Sequence, residues 1–451
     1  MAATYLVSGL FAFNVLAADE LGWFSTPIRV SKSNRDLKVT LDAELTTHVV
    51  VTDREGTSQN SYYRLPSSGQ MQTTQLGLGT EVYNLIQRYD PGHIWQLSHT
   101  SISENGSSVV LVNLRRSLDF GRTWDTMQIR TPAQALHEGA VKCNAADDCM
   151  FIGQAQIGLG QTFQPRVSHW NGIGWTPVAD IFTTETVATS EMVLPTGIKN
   201  QYLVYYVNQN FLNFTALTVG SADLRGRLIT FNDDGSTNWN SRAAAATDLL
   251  VMGGIRNVML NLSAVAGPGL FSYGGLSLNL VAGGSPSGER WAWSTNRGLQ
   301  DSYENILVAH ASSTNKWDKN IGKISDPSYD LAAANIAYDT AQNRFYLFYY
   351  KITYANGVNP DGTVAGANGS YSVCYRSVAS GAGSSGLQSA AEICPVQNRP
   401  GKWLGANTNE IMGDGTGYDI GAVHNGHIAI SFEDNCQTGD ATCTLAVFKN
   451  F

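Results

Sequence analysis

Acidic, imidazole and guanidinium side chains recur at one kind of place in this chain, just before or at the start of short apolar runs. They are Glu81, His137 with Glu138, Glu191, Arg256 with Asn257, Asn335, and Tyr418 with Asp419. Glu138, Glu191 and Asp419 are the candidate catalytic carboxylates. Two acids flanking a glycosidic bond suffice for hydrolysis, one protonating the leaving oxygen while the other acts as base or nucleophile. Glu81, His137, Arg256, Asn335 and Tyr418 are the candidate ligand-binding groups, because a sugar is held by hydrogen bonds to its hydroxyls and an aromatic face against its apolar side. The plainer alternative gives the same residues a structural role, in which they cap strand ends, pair with one another and hold water. The sequence has no Gly-x-Ser-x-Gly elbow, HExxH pair or Walker loop, so serine-nucleophile, zinc-protease and NTPase chemistry have no support. His48, His93, His169 and His427 fall inside strand-like runs and, lacking a cluster, read as packed or surface residues rather than ligands.

Those candidates meet only if the runs beside them are gathered around a common axis. The runs recur in a similar order: a short apolar strand, a turn, a stronger apolar strand, a third strand, then a Gly/Asn turn often followed by Trp. The expected second strands are Thr47–Val51, His93–Leu97, Met150–Gly153, Tyr202–Tyr206, Leu276–Leu280, Phe345–Tyr349 and His427–Ser431. This is a blade-like repeat and predicts an all-β fold, a single β-propeller of about seven blades, with six or eight as alternatives because the spacing widens toward the C-terminus. Runs that are apolar at nearly every residue suit strands buried on both faces between neighbouring blades. The final run, Cys443–Phe448, is a third strand with no fourth after it, and the segment Thr26–Val30 precedes the first full repeat. Pairing of the two would close the ring and remove an exposed edge. No Pro/Gly/Ser linker divides the chain; Gly283–Gly288 and Ala379–Gly386 read as surface loops, leaving one domain over residues 18–451.

One turn carries a family resemblance. Ser117-Leu118-Asp119-Phe120-Gly121-Arg122-Thr123-Trp124 resembles the Asp-box, Ser-x-Asp-x-Gly-x-Thr-Trp, of sialidases and other BNR-repeat propellers at every defined position. Physically, Ser117 and Asp119 can hold a tight hairpin by accepting backbone N–H groups, Gly121 supplies permissive backbone, and Trp124 packs beneath, with Thr123 completing the pattern. Asp119 is therefore expected to be structural rather than catalytic. Weaker echoes occur at Asn232–Trp239, Trp170–Trp175 and Ser312–Trp317. The resemblance implies a fold, not an activity. Sialidases of this fold clamp a substrate carboxylate with three arginines, the first in an Arg-Ile-Pro motif; the nearest string here, Pro27-Ile28-Arg29-Val30, does not match, which argues against sialidase activity.

Among the 451 residues, charged side chains make up only 15% and the formal net charge is −8, with basic residues scattered. Nucleic acid is thus not an expected partner, nor is an anionic membrane surface. The apolar run Ala3–Ala17, ending Val15-Leu16-Ala17-Ala18-Asp19, reads as a signal peptide cut after Ala17, too short for an ordinary membrane span though without a basic n-region. A secreted chain, or a periplasmic or surface one in a bacterium, follows. Its six cysteines fall as three local pairs, Cys143 with Cys149, Cys374 with Cys394, and Cys436 with Cys443, and short loops close at the least entropic cost. Metal binding is the weaker reading of these cysteines. Sequons at Asn105, Asn213, Asn261 and Asn368 are glycan acceptors if the host is eukaryotic. No cofactor is expected; Asp233-Asp234-Gly235 and Asn359-Pro360-Asp361-Gly362 have a calcium-loop flavour but read equally as turns, so structural calcium stays open.

The expected function is extracellular recognition of a glycan or cell-surface ligand on one face of the propeller. The alternatives are a glycoside hydrolase using paired carboxylates on a non-sialic substrate, and a structural or protein-binding surface component.

Overall fold

The computed structural model describes residues 24–31, 35–53, 59–78, 81–87, 94–132, 135–145, 147–157, 162–181, 188–213, 218–234, 236–237, 249–255, 282–284, 288–296, 303, 305–313, 316–354, 368–402, 420–434 and 443–451. Among these residues the strands form seven antiparallel sheets, numbered here 1 to 7 from the sheet that begins at Arg35. Sheets 1 to 6 are each built in chain order. Sheet 7 takes its fourth strand from the other end of the chain.

The innermost strands are Arg35–Leu41, Glu81–Gln87, Ala135–Ala145, Ala188–Pro195, Ala282–Gly284, Asp330–Asp339 and Gly421–His424. Each touches the next, and the last touches the first, so the sheets surround a common axis as in a β-propeller. Closure comes from Phe24–Ser31, which pairs antiparallel with Cys443–Lys449 and matches Thr26 to Val447 and Val30 to Thr444. The N-terminal segment thereby covers an edge that would otherwise be open to pairing. Pro27 lies on the outermost strand of that sheet, the position where a missing N–H costs least.

Six of the seven expected second strands occupy that place: they lie within or overlap Thr47–Asp53, Ile94–Glu104, Asp148–Ile157, Gln201–Asn213, Arg344–Tyr354 and His427–Asp434. In sheet 5 the second strand is instead Arg290–Asn296. The expected run Leu276–Leu280 lies outside the described residues. Uninterrupted apolar runs arise because alternate residues serve opposite neighbours. Tyr202, Val204 and Tyr206 pack with Met150, Ile152 and Val167 of sheet 3, while Leu203 and Tyr205 pack with Ala292, Ala309 and Trp317 of sheet 5. Phe345, Leu347 and Tyr349 likewise meet Trp291 and Trp293, whereas Tyr346, Phe348 and Tyr350 meet Ile428, Ile430 and Phe432 of sheet 7. With both faces of the sheet apolar, the core is a ring of inter-sheet layers rather than one central mass.

The one described α-helix, Gly383–Ser389, lies between the third and fourth strands of sheet 6. Its C-terminal end is held by Arg376, whose Nη1 donates to the carbonyls of Gln388 (2.7 Å) and Ala390 (3.0 Å). Two of the expected disulfides are closed: Cys143–Cys149 joins directly opposed residues of the first two strands of sheet 3, and Cys374–Cys394 joins the strands either side of the helix. Cys443 lies in the third strand of sheet 7, and Cys436 is outside the described residues. The grouping of Glu392 with Cys374 and Cys394 has the spacing of a metal site, but both sulfurs are spent on the disulfide and neither is a thiolate.

Candidate functional site

Antiparallel alternation sorts the connections onto two ends. Innermost strands begin, and second strands meet third strands, at one end, the channel mouth. First-to-second and third-to-fourth turns lie at the other, the hairpin end.

At the hairpin end, buried carboxylates recur in the turns that lead into second strands. In sheet 1, Asp42 Oδ1 accepts the N–H groups of Glu44 (2.9 Å) and Thr46 (2.8 Å), and Oδ2 meets His48 Nε2 at 2.9 Å. His48 Nδ1 lies 2.7 Å from the Tyr62 hydroxyl. Burial holds the His48 imidazole below its ordinary pKa. The neutral ring therefore donates from Nε2 to Asp42 and accepts the Tyr62 proton at Nδ1. In sheet 3, Asp148 accepts from His169 Nε2 (2.7 Å), the Tyr202 hydroxyl (2.5 Å), the Asn200 N–H (2.7 Å) and Asn144 Nδ2 (3.0 Å). Burial alone would raise this carboxyl, but those four donors outweigh it and hold Asp148 below the usual carboxylate range. In sheet 5, Glu289 meets His310 Nε2 at 2.9 Å and accepts from the Gly381 N–H at 3.0 Å and the Ser380 hydroxyl, both of sheet 6. In sheet 6, Asp339 accepts the N–H groups of Asn425 (2.9 Å) and Gly426 (2.5 Å) in sheet 7. The last three carboxylates each accept from the following sheet, so they act as latches between neighbours. Their acceptor capacity is used internally.

The turn at Ser117–Trp124 belongs to this latch system. Asp119 Oδ1 accepts the N–H groups of Arg122 (3.1 Å) and Thr123 (2.8 Å), and Oδ2 accepts the Thr123 hydroxyl (2.7 Å). Ser117 Oγ donates to Asp119 Oδ1 (2.9 Å) and accepts the Gly121 N–H (2.8 Å). These bonds hold the Asp119 carboxyl below its ordinary range against the opposing effect of desolvation, the largest single contribution. Gly121 has φ +74° and its α-carbon faces the Tyr62 hydroxyl so closely that a β-carbon has no room. Arg64 Nε donates to the Phe120 carbonyl (2.9 Å) and Trp124 stacks edge-on to Tyr62 at 5.1 Å, docking the hairpin of sheet 2 onto sheet 1. At Trp170–Trp175, Asn171 Oδ1 accepts the N–H groups of Ile173 and Gly174 (3.1 Å each). At Asn232–Ser236 it is Asp234 Oδ1 that accepts the Ser236 N–H (2.9 Å).

The mouth is built differently. On four innermost strands the ladder to the second strand breaks register close to where the strand begins. The breaks fall between Val82 and Asn84, Ala135 and Gly139, Thr189 and Met192, and Ala332 and Asn335. The expected residues map onto these breaks: Glu81 opens its strand one residue before the first, His137 and Glu138 lie inside the second, and Glu191 lies inside the third. Bulges of this kind bend a strand and cluster beside functional sites. Asn335 closes the fourth break and is committed to a strut: its Nδ2 donates to the Gly421 carbonyl (2.9 Å) and its Oδ1 accepts the Gly421 N–H (3.2 Å), lacing sheet 6 to sheet 7. Both polar atoms of its amide are engaged within the fold, the arrangement that the structural alternative anticipates. Arg256, Tyr418 and Asp419 lie outside the described residues, as do Asn257 and His93.

No family model and no curated protein matches this chain. Solved structures that resemble it do so at low similarity. A protein of unknown function from Dyadobacter fermentans is 10% identical, with a TM-score of 0.44, over 94% of this chain and 98% of that one. The GH93 α-L-arabinofuranosidase of Fusarium graminearum is 12% identical, with a TM-score of 0.40, over 76% and 92%. A subtype N10 neuraminidase-like protein of A/little yellow-shouldered bat/Guatemala/060/2010 is 11% identical, with a TM-score of 0.40, over 73% and 94%. At these values the likenesses argue for no shared activity, and the propeller architecture rests on the strand topology itself.

A second ionic group was not anticipated from sequence. Glu392 accepts from the Tyr349 hydroxyl (2.6 Å) and Lys351 Nζ (2.8 Å), Lys351 also reaches Asp326 (2.9 Å), and Arg376 Nε donates to the Tyr349 hydroxyl (3.1 Å). Desolvation opposes the charge on Glu392 and Lys351, yet their mutual bonds lower the first and raise the second. Tyr349 and Lys351 are on the second strand of sheet 6 and Arg376 on the third, Glu392 directly precedes the fourth strand and Asp326 lies in the connection from sheet 5, so two cations face two anions. The group braces the helix and the disulfide of sheet 6.

Proposed function

We propose that this chain is an extracellular recognition module that binds a glycan at the mouth of a seven-bladed, sialidase-like propeller. The observation that carries the reading is the coincidence of His137, Glu138 and Glu191 with the register breaks of two adjacent innermost strands, at the end opposite the latches. Carboxylates and an imidazole on neighbouring strands are suited to hydrogen-bonding sugar hydroxyls. The same pair of acids favours a second reading, glycoside hydrolysis, with Glu138 and Glu191 as acid and base or nucleophile.

A glycan array with the wild-type chain, followed by titration of the best ligand against Glu138→Gln and Glu191→Gln, tests both. Each variant is expected to weaken binding by about 10- to 100-fold, the loss of one hydrogen bond to a charged acceptor. Release of reducing sugar by the wild type, abolished in either variant, assigns the hydrolase instead. Unchanged binding and unchanged turnover in both variants remove the mouth acids from the site.

A further inference from the structure

The sequons have a placement that their spacing in the chain does not reveal. Asn105 is the first of two residues joining the second and third strands of sheet 2, Ile94–Glu104 and Ser107–Ser117. Asn213 ends the second strand of sheet 4, Gln201–Asn213, and Asn368 begins the third strand of sheet 6, Asn368–Ala379. All three are therefore on second-to-third connections, at the mouth end, and on alternate sheets. Asn261 lies outside the described residues.

Asn105 has the geometry an acceptor requires. With φ +50° at Asn105 and +79° at Gly106, the connection is a two-residue hairpin turn of the Asn-Gly type, closed by the pairing of Glu104 with Ser107. Both turn residues are exposed, and the hydroxyl residue of the sequon, Ser107, follows directly. Four turns at the hairpin end interlock instead: Asn200 on Asp148, Gly381 on Glu289, Gly426 on Asp339, and the Gly121 turn on Tyr62. A bulky oligosaccharide is tolerated only where a turn projects free of its neighbours.

We infer that Asn105 is an N-glycosylation acceptor when the chain passes through a compartment holding an oligosaccharyltransferase, and that Asn213 and Asn368 join it in a rim of glycans around the mouth on sheets 2, 4 and 6. The donor is an oligosaccharide linked to a polyprenyl diphosphate. The Asn105 amide nitrogen bonds to the anomeric carbon, the bond from that carbon to the diphosphate oxygen breaks, the polyprenyl diphosphate leaves with the electron pair, and the amide proton passes to a base of the transferase.

The test is expression of the full chain behind a yeast secretory leader. Site occupancy is read by mass spectrometry after peptide-N-glycosidase release in heavy-oxygen water, on luminal protein whose Cys374–Cys394 disulfide is closed. Asn105 is expected to be occupied, with Asn213 and Asn368 also converted. Ser107→Ala removes the glycan at Asn105 alone. Asn105→Gly does the same while keeping a residue at ease with positive φ, so loss of the glycan is separable from loss of the turn. Unmodified Asn105 in disulfide-closed luminal chain overturns the inference, and so does occupancy that persists in Ser107→Ala.

Discussion

Replacing Asp148 by alanine tests the latch system where its bonds are densest. The buried carboxylate accepts four hydrogen bonds, two of them, from Asn200 and Tyr202, arriving from the next sheet. Breaking a buried charged hub while leaving its partners in place costs about 3–5 kcal/mol. With an unfolding entropy of roughly 2.1 cal/mol/K per residue, a chain of 451 residues has a ΔSm near 0.9 kcal/mol/K, so a cost of ~4 kcal/mol lowers Tm by about 4 °C. Asp148→Asn keeps the shape and is expected to lose about half as much, since hydrogen bonds to a charged acceptor are worth roughly 1.5–3 kcal/mol each against about 1 for neutral ones. The pH dependence has a definite sign. Because the folded pKa of Asp148 lies below its unfolded value, its stabilisation is fully present above about pH 4 and is lost as pH falls through the lowered folded pKa. Calorimetry of wild type and Asp148→Asn at neutral pH and near pH 3 reads this directly. A Tm loss under about 1 °C for the alanine variant, or a gap between wild type and Asp148→Asn that does not narrow in acid, refutes the reasoning.

Gly121→Ala is expected to destabilise the chain by about 2–4 kcal/mol, combining a positive φ with a β-carbon driven into the Tyr62 hydroxyl, and chemical denaturation of the variant checks it. Replacing Cys374 and Cys394 together by serine opens a 20-residue separation and should cost roughly 3 kcal/mol, measured by chemical denaturation of the variant against the wild type. Deleting residues 1–31 leaves the edge of Cys443–Lys449 unpaired; size-exclusion chromatography is expected to show association or aggregation, and a stable monomer with unchanged Tm counts against ring closure as a stabilising device.

The second strands were legible because burial on two faces writes itself as an unbroken apolar run, as in Tyr202–Tyr206 and Phe345–Tyr349. Sheet 5 departs from that pattern because its second strand, Arg-Trp-Ala-Trp-Ser-Thr-Asn, dilutes two fully buried tryptophans with polar neighbours. Leu276–Leu280 is simply the more apolar string. The Trp-Ala-Trp triplet was the available signal. The latches are hard to see as a set: Asp42, Asp148, Glu289 and Asp339 each look like ordinary turn residues, and His48 and His169, which two of them hold, read only as packed or surface residues. Their recurrence at the turn into a second strand is nonetheless visible in the sequence.

At the candidate site the division falls elsewhere. Local pattern by itself determined that the chain is all-β and repetitive, and it marked Ser117–Trp124 as a self-bonded turn, because these properties depend on side chains within a few residues or on strand periodicity; closure by the N-terminal strand was only suggested by the missing fourth strand, and the pairing of Thr26 with Val447 decided it. Tertiary structure alone decided which polar groups are spent. Asn335 is bonded to Gly421, 86 residues away, and Tyr202 to Asp148, 54 residues away, pairings created only when sheets are set side by side around the axis. Glu81, His137, Glu138 and Glu191 acquire their common place for the same reason: each lies at the opening end of an innermost strand, and only the ring brings those ends together.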